Sequence, residues 1–186
     1  MEINHVKIGI VSENYKNDGE PIAMLLGRYL KGKAVFMQFC KNLNGNQLDT
    51  FKAFTMLENE CKKQKPDIVL FIRDLDSDKK QKLRTIYFEK CKSCIEETQT
   101  VFLLFVYEIE ALALADLKTV EAFYHLKKPI QFTKTPEKQT NPKGFLQENT
   151  TYSESDMREL VQIFNLNELK TYTVWNDFIE NISSKI

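Results

Sequence analysis

Two short apolar runs constrain this chain more than anything else in it. Ile68 to Ile72 reads Ile-Val-Leu-Phe-Ile and Val101 to Val106 reads Val-Phe-Leu-Leu-Phe-Val, with no polar residue in either. A strand with one wet face alternates apolar and polar residues, whereas a strand covered on both faces has no need to. The runs therefore predict buried parallel strands with helices on both sides of the sheet. Val6–Val11 and Ala34–Phe39 read as two further strands. Between the strands the apolar spacing turns helical. Ile22, Leu25, Leu26 and Tyr29 mark one helix after Gly19 and Pro21, and Phe51, Phe54, Leu57 and Cys61 mark a second over about Leu48–Lys63. A third is expected over Lys79–Glu97 and a fourth over about Ile109–Tyr124. The order β-α-β-α-β-α-β-α predicts an α/β fold, a mainly parallel sheet sandwiched by helices.

Residues 1–126 carry this pattern. From Lys127 onward Pro129, Pro136 and Pro142 punctuate a lysine-rich loop, and short helices are expected near Pro142–Asn149, Ser155–Asn165 and Trp175–Ile182. Residues 127–186 thus read as a small helical extension packed on the core. The 26 basic and 26 acidic residues cancel, so any nucleic-acid binding has to come from local patches. No apolar stretch approaches the ~20 residues that a membrane span requires. The start of the chain does not read as a signal peptide, and Cys40, Cys61, Cys91 and Cys94 are scattered over predicted core elements. Together these features predict a soluble, cytoplasmic protein.

In open parallel sheets, ligands gather beyond the C-terminal ends of the strands. Three strands deliver acids to that edge: Glu13 after the first, Asp74 and Asp76 after the third, Glu108 and Glu110 after the fourth. Period-two alternation turns Asp74 and Asp76 to one side. Clustered carboxylates repel, and a hard divalent cation relieves the repulsion. Oxygen-only donors without neighbouring His or Cys favour Mg²⁺ or Mn²⁺ over Zn²⁺. The plainer reading of Asp76 or Ser77 is a helix N-cap, with Asp78 favouring the helix dipole. Capping does not cover all three strand ends.

Ile-Val-Ser-Glu at Ile10–Glu13 and Asp-Leu-Asp at Asp74–Asp76 resemble the glutamate and Asp-x-Asp signature of TOPRIM domains, which occur in topoisomerases, primases and overcoming-lysogenization-defect nucleases. Glu108-Ile109-Glu110-Ala111-Leu112-Ala113-Leu114-Ala115-Asp116 is similar to an element of the small TOPRIM-like family DUF4276, as are Asn141-Pro142-Lys143 and Trp175-Asn176-Asp177-Phe178. Asn14 stands where TOPRIM domains usually have glycine, and Leu112 where the family element has tryptophan. The resemblance implies a TOPRIM/Rossmann-like fold and Mg²⁺- or Mn²⁺-dependent phosphodiester hydrolysis of DNA or RNA. Glu13, Asp74 and Asp76 would be catalytic and metal-binding, and Glu110 a ligand for a second ion. Asp18 or Glu20 would answer to a further loop acid of the family. Asp78, Glu108 and Asp116 are additional acids, and Lys143, with Lys134 and Lys138, would contact phosphate. By analogy with relatives, the chain would be the effector of an antiviral defence system beside a separate ABC-type ATPase subunit. A homo-oligomer stays open.

Two rival functions remain at this point. One is a non-catalytic module that binds nucleic acid or a protein partner; the other is a phosphoacceptor domain, disfavoured because the first strand carries Glu and the third the aspartate pair. Cys91-Lys92-Ser93-Cys94 has no companion pair or histidine and reads as helix core. The sequence holds neither a P-loop nor a Gly-x-Gly-x-x-Gly motif, so an autonomous P-loop ATPase or a Rossmann dinucleotide enzyme is not expected.

Overall fold

The computed structural model describes residues 5–75 and 99–186. The helix expected over Lys79–Glu97, together with Asp76, Asp78, Cys91 and Cys94, lies outside them. Four strands, β1 (Val6–Ser12), β2 (Ala34–Gln38), β3 (Ile68–Asp74) and β4 (Gln99–Phe105), form one sheet in the order β2-β1-β3-β4. Every pairing is parallel. Among the described residues seven α-helices accompany it: α1 (Glu20–Tyr29), α2 (Phe51–Gln64), α3 (Ala111–Ala115), α4 (Leu117–Phe123), α5 (Pro142–Asn149), α6 (Met157–Ile163) and α7 (Thr173–Ser183).

The apolar runs are buried on both faces, as their composition demands. Ile68, Leu70 and Ile72 of β3 and Val101, Leu103 and Phe105 of β4 join one core with α1, α3 and the C-terminal helices. Val69 and Phe71 belong to a second core on the opposite face, with Ala53, Phe54, Leu57 and Cys61 of α2. Residues beyond 127 are integral to the first core. Leu146, Leu160, Tyr172, Trp175 and Ile182 are fully buried there beside Ile8 and Ile22. Arg28 of α1 fastens this layer by donating to the carbonyls of Val161 and Phe164 at 2.6 and 2.7 Å, which satisfies carbonyls at the end of α6.

Three expectations need correction. The helix over Ile109–Tyr124 is two helices, broken at Asp116, whose backbone leaves the helical region and whose carboxylate caps α4 by accepting from the Thr119 N–H. The second helix begins at Phe51, not Leu48, because Gly45–Asp49 winds into a 3₁₀ turn first. Phe51 consequently sits at the helix start, 86% exposed, and is not part of the core.

Gly9 shows how tightly the α2 side of the sheet is filled. A β-carbon there would lie 2.5 Å from the Phe39 ring. Gly9→Ala should therefore lower stability by about 1–3 kcal/mol through overpacking, read as a fall in the urea midpoint with an unchanged m-value.

Candidate metal-binding cleft

The chain runs from β1 to β2 on one side and returns to β3 on the other, so the strand order reverses between β1 and β3. That reversal leaves a crevice beyond their C-terminal ends. Asp74 ends β3, and Ser12, the last residue of β1, pairs with Ile72. Glu13 and Asp74 thus stand at the lip of the crevice. A cleft of about 280 Å³ opens here, and six carboxylates line it: Glu13, Asp18, Asp74, Glu108, Glu110 and Glu154. Lys143 is the one cation among its described lining residues, and Tyr152 contributes a hydroxyl.

One wall is a single π-type turn, Tyr15–Gly19, that leads into α1. Asn14 caps it through its side chain, which accepts from the Asn17 N–H at 3.3 Å. Gly19 is required by close approach, since a β-carbon would lie 2.7 Å from Ser12 Oγ and 2.6 Å from the Tyr15 ring. The turn brings Asp18 back over the strand end, where its carboxylate accepts from the Asn14 N–H at 3.0 Å. Asp18 lines the cleft, whereas Glu20 points away and pairs with Arg158 at 2.9 Å.

The opposite wall comes from the C-terminal extension. Tyr152 Oη donates to the buried Glu110 carboxylate at 2.9 Å, and the Lys143 N–H donates to Glu108 at 2.9 Å. Lys143 Nζ pairs with Glu154, whose other oxygen accepts from Asn17 Nδ2 at 2.5 Å. Below the lip, on the α2 side of the sheet, Arg73 is only 6% exposed and pairs with Glu13 and with Asp49.

Asp74 is set apart from its neighbours: its backbone belongs to the β3–β4 ladder, but its carboxylate has neither a hydrogen bond nor an ion pair among the described residues. Burial drives its pKa up to about 9, and the negative charges of Asp18, Glu13, Glu110 and Glu108 push in the same direction. Burial likewise raises Asp18 to about 7, opposed by the Asn14 N–H and reinforced by Glu110, Glu13 and Glu154. Glu110 is raised as well, chiefly by burial, with the Tyr152 hydroxyl pulling the other way.

Several expected site residues stand elsewhere. Asp116 is a structural acid, 3% exposed, whose carboxylate accepts from the backbones of Thr119 and of Asn165, the latter at 2.7 Å. Lys134 and Lys138 are exposed and do not line the cleft. Asp76 and Asp78 are outside the described residues. Arg73, Tyr152, Glu154 and Asn17 belong to the site's surroundings although sequence reasoning did not single them out. Among the described residues, no three His, Cys, Asp or Glu side chains are already drawn together as a metal-ligand set. The pairings of Glu13, Glu108, Glu110 and Glu154 show what several of the acids do instead.

Asp74 and Asp18 bind their protons more tightly in the native state than in the unfolded chain, where an aspartate titrates near ~3.9. Their contribution is most favourable below that value and is lost as pH climbs through about 7 for Asp18 and about 9 for Asp74. Asp74→Asn should consequently raise the melting temperature of metal-free protein at pH 8, by about 3 °C or more, and by less at pH 5. Thermal melts at the two pH values test this; an equal or lower melting temperature at pH 8 would show that Asp74 is not under electrostatic strain.

Comparison of the chain with protein-family models, with curated proteins and with solved structures finds no match. What is established is an α/β, Rossmann-like fold with an all-parallel sheet of four strands and, among the described residues, no helix long and apolar enough to cross a membrane.

Proposed function

We propose that the cleft holds a divalent cation, Mg²⁺ or Mn²⁺, and hydrolyses phosphodiester bonds in a nucleic acid. The observation that carries this reading is Asp74, a half-buried carboxylate at the strand-order reversal that no lysine or arginine pairs with among the described residues, with further acids crowded around it. Uncompensated charge in such a place is costly, and perturbed carboxyls in a cleft are characteristic of functional sites.

The donor set suits the ion. Asp74 and Asp18 would hold it, with Glu110 as the adjoining oxygen donor, and an all-oxygen set favours a hard cation. When bound, such a cation supplies charge for the developing oxyanion and lowers the pKa of a coordinated water. Glu13 fits a different role from the ligand expected of it. Its ion pair with Arg73 fixes it beside Asp74, as a group that orients the lip of the cleft. Lys143 stands on the far wall as the residue that meets a phosphate. Tyr152 keeps Glu110 in place through its hydroxyl. A separate ATPase subunit and a role in antiviral defence rest on the sequence resemblance alone.

Purified protein should cleave single- or double-stranded DNA or RNA in Mn²⁺ or Mg²⁺ and not in EDTA. Losing even an outer partner of a metal ligand costs about 10–100-fold, so Asp74→Ala should reduce cleavage by more than that. Cleavage that persists in both Asp74→Ala and Asp18→Ala would refute the mechanism. Nucleic-acid binding by wild type and variants alike, with no cleavage by any of them, would identify a binding module instead.

A further inference from the structure

Two hydrogen-bond donors from opposite walls of the cleft converge on a single carboxylate. Asn17 Nδ2 comes from the π-type turn after β1, and Lys143 Nζ from the first turn of α5; each binds one oxygen of Glu154. We propose that Asn17 and Lys143 form the seat for a phosphate group of the substrate, and that Glu154 occupies it as an internal stand-in which the substrate displaces. The proposal rests on the phosphodiester reading above and deepens it by assigning the substrate's phosphate to particular donors.

The geometry supports an exchange of one anion for another. A carboxylate that bridges two donors with its two oxygens does what two non-bridging oxygens of a phosphate would do. The lysine is anchored at its root, since the Lys143 N–H is bound to Glu108 and the Asn141 side chain caps α5 at the Gly144 N–H, 2.8 Å away. Its ammonium therefore starts from a fixed backbone position at the cleft wall. Glu154 is not needed where it is for the turn it belongs to: in Glu154–Asp156 the reciprocal cap is made by Ser153 and Asp156. Glu154 and Lys143 are also 45% and 32% exposed, and an ion pair so open to solvent adds little net stability, so displacing it costs little. Released, Glu154 lies on an exposed turn. A cation seat is moreover what an anionic substrate requires in this cleft, because Glu108 and Glu110 stand beside Lys143 and would repel it.

The test is a binding titration of full-length protein with inorganic phosphate and, separately, with a thymidine dinucleotide phosphodiester, each with and without saturating Mg²⁺. Glu154→Gln keeps the size of the side chain and removes its competing charge. It should tighten phosphate binding by about three- to tenfold, the gain expected when a self-occupied site is freed. Lys143→Met should weaken binding by about tenfold or more, and Asn17→Ala should weaken it by less. Tightening with inorganic phosphate alone marks a seat for a terminal phosphate; tightening with the dinucleotide alone marks one for a bridging phosphate. Unchanged or weaker binding of both probes by Glu154→Gln, or unchanged binding by Lys143→Met, overturns the proposal. A parallel Mn²⁺ titration separates it from the metal reading. Mn²⁺ binding that depends on Asp74, with no effect of Glu154→Gln on phosphate, sinks the seat alone. The phosphate effects without any Mn²⁺ binding leave the seat standing and sink the metal site.

Discussion

Burial of β3 on both faces is the constraint from which the rest of the molecule follows. Ile68 to Ile72 are excluded from solvent on both sides, and side chains of this kind contribute roughly 1.5–3 kcal/mol each when fully buried. That rigid central strand, hydrogen-bonded to β1 and β4, carries Asp74 at its end into a place the acid would not choose for itself. The hydrophobic core thus sustains a local electrostatic cost. A shallower strand would let Asp74 swing into water, and the crowding of charge at the crevice would disappear with it.

The C-terminal segment completes the cleft while it completes the core. Tyr172 and Trp175 fill the layer over β3 and β4, and the same segment lays Lys143, Tyr152 and Glu154 along the far wall. The contacts between walls cross long stretches of chain, such as Glu110 with Tyr152 and Asn17 with Glu154. Stability and site geometry are therefore coupled. Loosening the α6–α1 contact held by Arg28 would shift the wall that carries Glu154 relative to the turn that carries Asp18.

The strands were legible in the sequence because an uninterrupted apolar run in a chain this charged has almost nowhere to go except the middle of a covered sheet. The acids at the strand ends were legible because parallel topology fixes which end of each strand points to the crevice. Other features left no such mark. Ala111–Ala115 and Leu117–Phe123 read as one helix because apolar spacing runs through Asp116; only that residue's cap to Thr119 breaks it. Phe51 fitted the period of a helical face, but it is the first residue of α2, where the helix only begins, and its side chain stays in solvent. Asp18 could not be separated from Glu20 in sequence, since the difference comes from a π-type turn whose extra residue redirects both side chains. Tyr152 and Glu154 sit in a polar stretch with no local pattern, and their partners are far away in the chain. Arg73 had a readable signal that sequence reasoning passed over: a cation inside a buried strand, one residue from an acid, needs carboxylates of its own.

That arginine determines where the uncompensated charge ends up. Arg73 and Asp74 are consecutive in β3 and so project to opposite faces of the sheet. On the α2 face the guanidinium is buried and matched, since Glu13 and Asp49 both reach it. A bidentate-capable, permanently charged group held there draws Glu13 toward itself. On the other face no described lysine or arginine pairs with Asp74, and burial and the surrounding acids together hold its pKa far above the usual carboxylate range. Glu154 is matched by Lys143, Glu108 by the Lys143 backbone and Glu110 by Tyr152. The fold thus gives a partner to four of the six acids, leaves Asp18 with a single backbone N–H, and gives Asp74 none among the described residues. Of the six acids, Asp74 on the β1–β3 crevice is therefore the one whose carboxylate no donor among the described residues reaches, and the electrostatic cost of the cleft is greatest there.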